Sequence, residues 1–473
     1  MNRVSYAPAG SQDHRLKQNV LNFVELWAQN IALISPTMTA ALIVPLMYSN
    51  TGNMSWLSYA VGTVMLLFVA FNLNQFAKRG AGTGSMYSYT CSGLGVGGGT
   101  MCGWCLIWAY LFIGLAGTTG FTIFADKLLE MVHISVPPLV LFAVCIGSCL
   151  FIAYKDIKIS TIVMLALEGF SCFFIFLLCM IVLGKTQFAP DPAQFAFKDV
   201  TLSNLGLGVV VAIFSLVGFE SSTAFGDEAI NPLKTIPRSI IWSLVATGLF
   251  FIFVSYVEVL GTHGYKDTLD KIDAPLNVLA DRFGVPILSP FVSAGAMFSF
   301  FALALSCLNA GARVMFAMGR HEFFHKATSR VHEDHATPHM ALGVVAALMF
   351  LVVAAGRLSG MEVLDEFNDA GTMGAFGFLG AYFLVTLAAP GFLRKRGKLK
   401  PRDIAICVAA ILLMLIPAVG SVYPVPPAPL NYFPYIFGAY ILVGFIRMTL
   451  LHRQKPDRIE AIYAEAQSSF AEA

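Results

Sequence analysis

The sequence predicts an all-α membrane protein of twelve transmembrane helices, ten of them forming two inverted halves of five and two following at the C-terminal end. Three observations predict it: a composition too apolar for water, twelve apolar stretches long enough to cross a bilayer, and interruptions at equivalent places in the first and sixth of them. Hydrophobic residues make up 57% of the 473 and charged residues 12%, with a mean hydropathy of +0.72. Soluble domains are about one-quarter charged, so this chain needs lipid. Forty Phe and 41 Gly fit that setting, since apolar rings can face acyl chains and glycine lets helices approach closely.

A bilayer core of about 30 Å takes roughly 20 helical residues to cross. The stretches that qualify are 20–47, 56–76, 97–125, 136–154, 160–183, 205–225, 239–260, 287–313, 341–356, 370–389, 403–420 and 433–451. Residues 1–19 and 452–473 are read as tails. The N-terminal tail lacks the apolar core and small-residue cleavage site of a secretory signal. With that tail inside, 23 of the 30 Lys and Arg fall in cytoplasmic segments and seven outside. Positive loops are retained in the cytoplasm, so both termini are expected there, in a multi-pass protein of the cytoplasmic membrane. The densest basic cluster, Arg394 to Arg402, reads as a topology determinant beside anionic headgroups.

Several function classes are disfavoured at once. A net charge of +2 with scattered basic residues implies no nucleic-acid partner. The nine cysteines lie almost entirely in apolar stretches, and Cys102-x-x-Cys105 reads as part of a buried helix. His321, His325, His332, His335 and His339 are read as solvated loop histidines, and no metal or cofactor is expected. The chain has no Walker loop, no H-E-x-x-H and no long extramembrane insert, which disfavours an enzyme or sensor.

The interruptions are Ile34-Ser35-Pro36-Thr37-Met38-Thr39 in the first span and Ser215-Leu216-Val217-Gly218-Phe219-Glu220 in the sixth. Breaks at matching places in two halves are the sequence pointer to inverted-repeat transporters, whose solute site lies between the broken helices. The halves are 20–183 and 205–389, with 403–451 outside the repeat.

At these residues the chain resembles the amino acid/polyamine/organocation superfamily of permeases, over nearly its whole length. Gly82-Thr83-Gly84-Ser85-Met86-Tyr87-Ser88-Tyr89 with Gly93-Leu94-Gly95 and Gly103-Trp104 looks like the family segment leading into helix 3, and Asp156-Ile157-Lys158-Ile159-Ser160 like its short stretch before helix 5. The resemblance is closest at Gly218-Phe219-Glu220 followed by Asp227-Glu228-Ala229-Ile230-Asn231-Pro232 and Ile236-Pro237-Arg238. Asn309-Ala310-x-x-Arg313 with Gly319-Arg320 and Thr337-Pro338 is similar to the region after helix 8. The resemblance implies a leucine-transporter-type fold and secondary active transport of an amino acid or related amine, as proton-coupled uptake or as exchange. An organic-cation permease is the rival within transport. Where many members carry a Gly-rich run in helix 1, this chain has Ser-Pro-Thr-Met-Thr.

Unwound backbone in lipid must find partners, so both breaks are expected to face a polar cavity. Free N–H groups at Thr37, Met38 and Thr39, at the positive end of a half-helix, suit a carboxylate, assisted by the Ser35 and Thr39 hydroxyls. Carbonyls around Phe214, Ser215 and Val217, beside Gly218, suit an ammonium. Phe214, Phe219, Trp108 and Tyr110 are candidates to select the side chain, with Phe219 as a gate. Charged groups within spans mark pathways or proton sites. Glu168, about 12 Å into the fifth span, reads either as a proton-coupling residue or as a structural carboxylate. Glu220 is expected to hold the unwound segment or act in gating, as the family resemblance implies. Asp369 reads as an outer gate or a helix-end residue. Sodium coupling needs oxygen ligands from helices 1 and 8; helix 8 offers Ser306-Cys307 rather than adjacent hydroxyls, so a proton is the favoured partner over sodium.

Overall fold

The computed structural model describes residues 16–82, 84–196, 201–272, 274–423, 425, 427–468 and 470. Most of the predicted N-terminal tail, together with Thr83 of the quoted motif, lies outside them. The helices are α1 (Phe23–Ile34), α2 (Pro36–Met38), α3 (Val44–Thr51), α4 (Ser55–Ala77), α5 (Met86–Glu130), α6 (Pro138–Lys155), α7 (Ile157–Lys185) and α8 (Leu202–Leu216) in the first part. They continue with α9 (Pro232–Thr262), α10 (Pro275–Arg282), α11 (Leu288–Arg320), α12 (His339–Leu358), α13 (Val363–Lys395), α14 (Pro401–Gly420), α15 (Phe433–Gln454) and α16 (Pro456–Ser468). Among the described residues the only extended pairing is one bridge, Leu21 to Ala229.

Local chemistry sets the ends. Asn22 caps α1, accepting from Val24 N at 2.8 Å and from Glu25 N at 3.4 Å while Glu25 accepts from Asn22 N at 2.6 Å, a reciprocal capping box. Asp156 caps α7 through Lys158 N at 2.7 Å. Asn231, at φ 49°, turns the chain into α9 ahead of Pro232 at the first helical position.

Among the described residues, eleven runs are long and apolar enough to cross a membrane. The predicted first and second spans appear as one run, Phe23–Ala77, of 55 residues, because a 3-10 turn at Gly52–Met54 links α3 to α4 with no extended loop between them, and a π turn at Thr39–Ile43 within the first span links α2 to α3. Such a run is about 80 Å of helix, more than twice a 30 Å core, and Gly52 at φ 54° marks its corner. The third run, Met86–Glu130, is two helices that meet at a kink where Gly95 takes φ 84° and ψ 177°, so the spanning part starts beside the predicted residue 97 and a further helical stretch from Met86 leads into it. The predicted C-terminal tail is helical: α16 lies within it.

The core centres on α5, which packs on α13 and α11 through glycines. A Cβ at Gly377 would lie 2.6 Å from the Cys105 carbonyl oxygen, one at Gly117 2.8 Å from Ala304 N, and one at Gly93 2.4 Å from the Ala388 carbonyl oxygen. Without an apolar solvent contrast between helices, such small-residue contacts are what holds them. Outward, α14 and α15 expose Leu412, Leu415, Leu442 and Phe445, the apolar surface that lipid covers. All nine cysteines are free thiols, eight of them buried.

Candidate functional site

The first break is shorter than the sequence suggests. Ser35 alone departs from helix, at φ 52° and ψ 75°, with its N–H still bonded to the Ile31 carbonyl at 2.9 Å. Pro36 has no N–H to donate and disfavours helical backbone in the residue before it, so the chain must kink there. It resumes as the single turn of α2 and the π turn, so Thr37, Met38 and Thr39 are wound rather than extended.

The second break is longer. α8 ends at Leu216, Val217 is extended, and Gly218 takes φ +92°; Phe219 and Glu220 lead into a 3-10 turn at Ser221–Phe225. The two breaks touch. A Cβ on Gly218 would lie 1.8 Å from Leu33 Cδ2, so glycine is required there both by its backbone angle and by the neighbouring helix.

Asn30, just before the first break, ties the pair together. Its Oδ1 accepts from Ser222 N at 2.7 Å and Ser221 Oγ at 3.1 Å, and its Nδ2 donates to Ser243 Oγ at 3.2 Å. The unwound backbone of the second break is also paired by side chains. Gly218 N donates to the Tyr382 hydroxyl at 3.1 Å, and Ser243 Oγ donates to the Phe219 carbonyl at 3.3 Å. Tyr382 in turn donates to Glu220 Oε2 at 2.5 Å, and Tyr110 donates to Oε1 at 3.5 Å. Glu220 therefore closes a loop of hydrogen bonds around the unwound residues.

On the other flank, α7 meets the first break. Ser35 Oγ and Ser299 Oγ are 3.0 Å apart, and Ser299 donates to Glu168 Oε1 at 2.7 Å. Thr37 pairs with Ser171, three residues on from Glu168. Two buried oxygens here have no hydrogen-bond partner among the described residues: Glu168 Oε2 and Thr39 Oγ1. Buried polar atoms without partners are costly, and these two adjoin the break.

Gln29 binds Ser306: its Nε2 donates to Ser306 Oγ at 2.7 Å, and that hydroxyl donates back to the Gln29 carbonyl at 3.0 Å. Ser306 is thus engaged within the protein. Among the described residues no group of three or more His, Cys, Asp or Glu is arranged to hold a metal ion.

Ser35, Thr37, Met38, Thr39, Ser215, Val217, Gly218, Phe219, Glu220, Glu168 and Tyr110 are all buried. Ser215 bonds back to the Val211 carbonyl at 3.3 Å within α8. Phe219 packs against Tyr382 with ring centroids 5.3 Å apart. Phe214, half-buried, occupies the space that Gly371 leaves, where a Cβ would sit 2.2 Å from its Cζ. Trp108 is placed differently: it donates to the Met373 carbonyl at 2.8 Å and stacks with Phe112 and Tyr440, in a cluster with Phe433 apart from the main core. Asp369 is half-buried near the start of α13, and no hydrogen bond or ion pair joins it to the breaks among the described residues.

Sequence reasoning missed Asn30, Gln29, Ser171, Ser299 and Tyr382. A signal existed for the first two, amides inside an apolar span. The serines and Tyr382 have none, because their value comes from meeting residues more than a hundred positions away.

A family model described as Amino acid permease matches residues 28–423. The branched-chain amino acid permease BcaP of Bacillus subtilis (strain 168) is 24% identical over 342 residues, covering 68% of this chain and 70% of that one. Its namesake from Lactococcus lactis subsp. cremoris (strain MG1363) is 27% identical over 360 residues, covering 72% and 75%. Among solved structures, the substrate-bound outward-open state of a Na⁺-coupled sialic acid symporter aligns with a TM-score of 0.53, 13% identity and coverage of 90% and 89%. At that identity the likeness shows the fold alone.

Proposed function

We propose that this chain, which belongs to the amino acid permease family, carries a small neutral amino acid across the cytoplasmic membrane by alternating access, in proton-coupled uptake. The solute sits between the breaks at Ser35 and Gly218, with the hydroxyls of Ser35 and Thr39 as its first polar partners and the backbone of the second break joining them once its bonds to Tyr382 and Ser243 open. The observation that carries this reading is the contact of Gly218 with Leu33, which brings the two interrupted helices to one place. The BcaP relatives support an aliphatic amino acid as the solute.

Counted as two crossings, Phe23–Ala77 raises the span number to twelve, in the 5+5 inverted arrangement with halves 20–183 and 205–389. The last two spans, 403–451, lie outside the repeat, and both termini lie in the cytoplasm. Trp108 acts in packing, and Asp369 as a helix-end carboxylate on the outer side. The protein works as a carrier rather than as an enzyme.

Glu168 is the proton carrier in this reading, supported by its burial, its one unpartnered oxygen, and the Ser299 hydroxyl that links it to Ser35. Protonation at Glu168 then alters the hydrogen bonding of the break, which couples the proton to the solute. The test is uptake of a labelled amino-acid and amine panel into proteoliposomes, with and without a pH gradient, for wild type and Glu168→Gln. Accumulation of a neutral amino acid driven by the gradient, and weakened in the variant, is expected. Uptake driven only by Na⁺ overturns proton coupling, and uptake seen only with solute preloaded inside establishes exchange instead.

A further inference from the structure

Helix α16 is short, but its contacts are distributed over the ends of several long helices. On α11, Glu465 reaches His321 Nε2 at 3.3 Å and Arg320 at 3.5 Å, while Arg458 donates to the Arg320 carbonyl at 2.8 Å. On α5, Gln467 donates to the Ser92 carbonyl at 2.9 Å; on α13, Lys395 donates to the Tyr463 hydroxyl at 2.9 Å. Just beyond the helix, Phe470 packs among Phe76 of α4, Tyr89 of α5 and Phe392 of α13. Its ring lies over Gly80, where a Cβ would come within 2.0 Å.

The α4–α5 loop under Phe470 leads to the second break. A Cβ on Gly226 would lie 2.3 Å from Gly82 N, and Ser85 Oγ is 2.6 Å from Thr223 Oγ1. Thr223 belongs to the 3-10 turn that follows Glu220, and Thr223 N donates to the Glu220 carbonyl at 2.8 Å. A chain of direct contacts therefore runs from Phe470 through the loop to the unwound segment.

The seat of α16 is built to be weak. Only Ile462 and Ala466 of the helix are buried, its polar contacts are mostly at exposed positions, and a cavity of about 120 Å³ remains beneath it. Tyr87, Ser88, Arg320, His321, Glu465 and Phe470 are among the residues lining that space, which has room for water. Polar, hydrated contacts between units of one chain are those that open most readily.

We propose that α16 is a clasp: docked, it presses the α4–α5 loop onto the 3-10 turn after Glu220 and keeps closed the side of the membrane that bears the C-terminus. That side opens when the clasp lifts. This rests on the transport reading, since a clasp on a protein with no cycle would restrain nothing.

The test joins a lock and a release in the full chain. In Lys395→Cys/Tyr463→Cys a short, reductant-cleavable bis-maleimide fixes α16 to α13, with wild type treated identically as the control for native thiols. Uptake is expected to stop on cross-linking and to return on cleavage; unchanged uptake in the cross-linked protein overturns the clasp. For release, Glu465→Gln/Phe470→Ala is made in a Thr223→Cys background, and labelling by a water-soluble maleimide is followed. Loss of the Glu465 contacts with Arg320 and His321 and of the Phe470 ring from among three aromatic neighbours is expected to raise the labelling rate at least about fivefold; an unchanged rate overturns the proposal. If the release variant does not fold, the lock decides alone. Absence of uptake in untreated wild type would count against the transport reading, while the labelling result still judges the clasp.

Discussion

Arg313 and Glu228 form a bidentate ion pair at 2.5 and 2.7 Å with both side chains about 1% exposed. Arg313 lies on α11 and Glu228 at the end of the segment that follows the second break. Arg313 also stacks over Phe225 at 4.3 Å and donates to the Asn309 carbonyl at 3.0 Å, and the Glu228 carbonyl accepts from Val20 and Leu21. Two sequence motifs eighty-odd residues apart are thereby one structural unit.

Removing either partner leaves a buried charge unpaired. Glu228→Ala and Arg313→Ala are each expected to destabilise the protein by about 3–5 kcal/mol, and the double variant by clearly less than their sum. Thermal melting in detergent, read as a double-mutant cycle, checks this; simple additivity would argue that the pair has no mutual stabilisation.

Gly218→Ala must accept a positive φ that costs about 1–2 kcal/mol for an L-residue and a clash with Leu33. Uptake is expected to be lost while protein is still produced. Leu33→Ala in the same chain removes the Cγ and Cδ2 clashes, leaving a close Cβ contact at 3.2 Å and the backbone cost, so it should restore uptake only in part. Full restoration would mean that the backbone angle at 218 is dispensable.

Asn30→Ala leaves Ser222 N–H without its acceptor, while Ser221 Oγ keeps the Gln29 carbonyl at 3.3 Å. A buried donor left unpaired costs about 1–3 kcal/mol, so the melting temperature and uptake should both fall. Asn30→Asp keeps an acceptor for Ser222 N–H but puts an ionisable carboxyl at a fully buried position; its uptake should lie between wild type and Asn30→Ala.

Outside the spans, the hydrogen bond from Lys455 holds the Glu322 carboxyl below the ordinary carboxylate range, helped by Lys326 and Arg458. The hydrogen bond with His321 does the same for Glu465, helped by Arg320 and Arg458. A carboxyl depressed in the folded state contributes stability that is present above its unfolded pKa, about 4.3, and is lost as pH falls through the lower folded value. Docking of α16 should thus hold at neutral pH and weaken below roughly pH 4. Limited proteolysis between α15 and α16 across pH 7 to 3 reads it, and cleavage that stays constant would separate docking from these carboxyls.

The membrane class was legible because composition alone decides it, and both breaks because Pro36 and Gly218 carry their backbone constraints in their own chemistry. The extent of the first break was not: Pro36 forces one kinked residue, and nothing local says that Thr37 to Thr39 then rewind. Nor was the joining of the first two spans, which depends on a 3-10 turn at Gly52–Met54 without sequence signature. The recurrence of Ile459, Ile462, Tyr463 and Ala466 at helical spacing was available in the C-terminal segment, but its polar remainder hid a docked helix. Glu168 was found as a charge in an apolar span; its link to Ser35 depends on Ser299, which only the packing of α11 against α7 supplies.

The glycine seam between α5, α11 and α13 has a mechanical consequence. Where a Cβ at Gly93, Gly117 or Gly377 would run into the neighbouring backbone, little side chain lies between the helices to slide or re-pack, so these three helices are expected to move together. Spin labels placed on any two of them should then keep a fixed separation when solute is added, with the change in distance expected at the interrupted helices beside them.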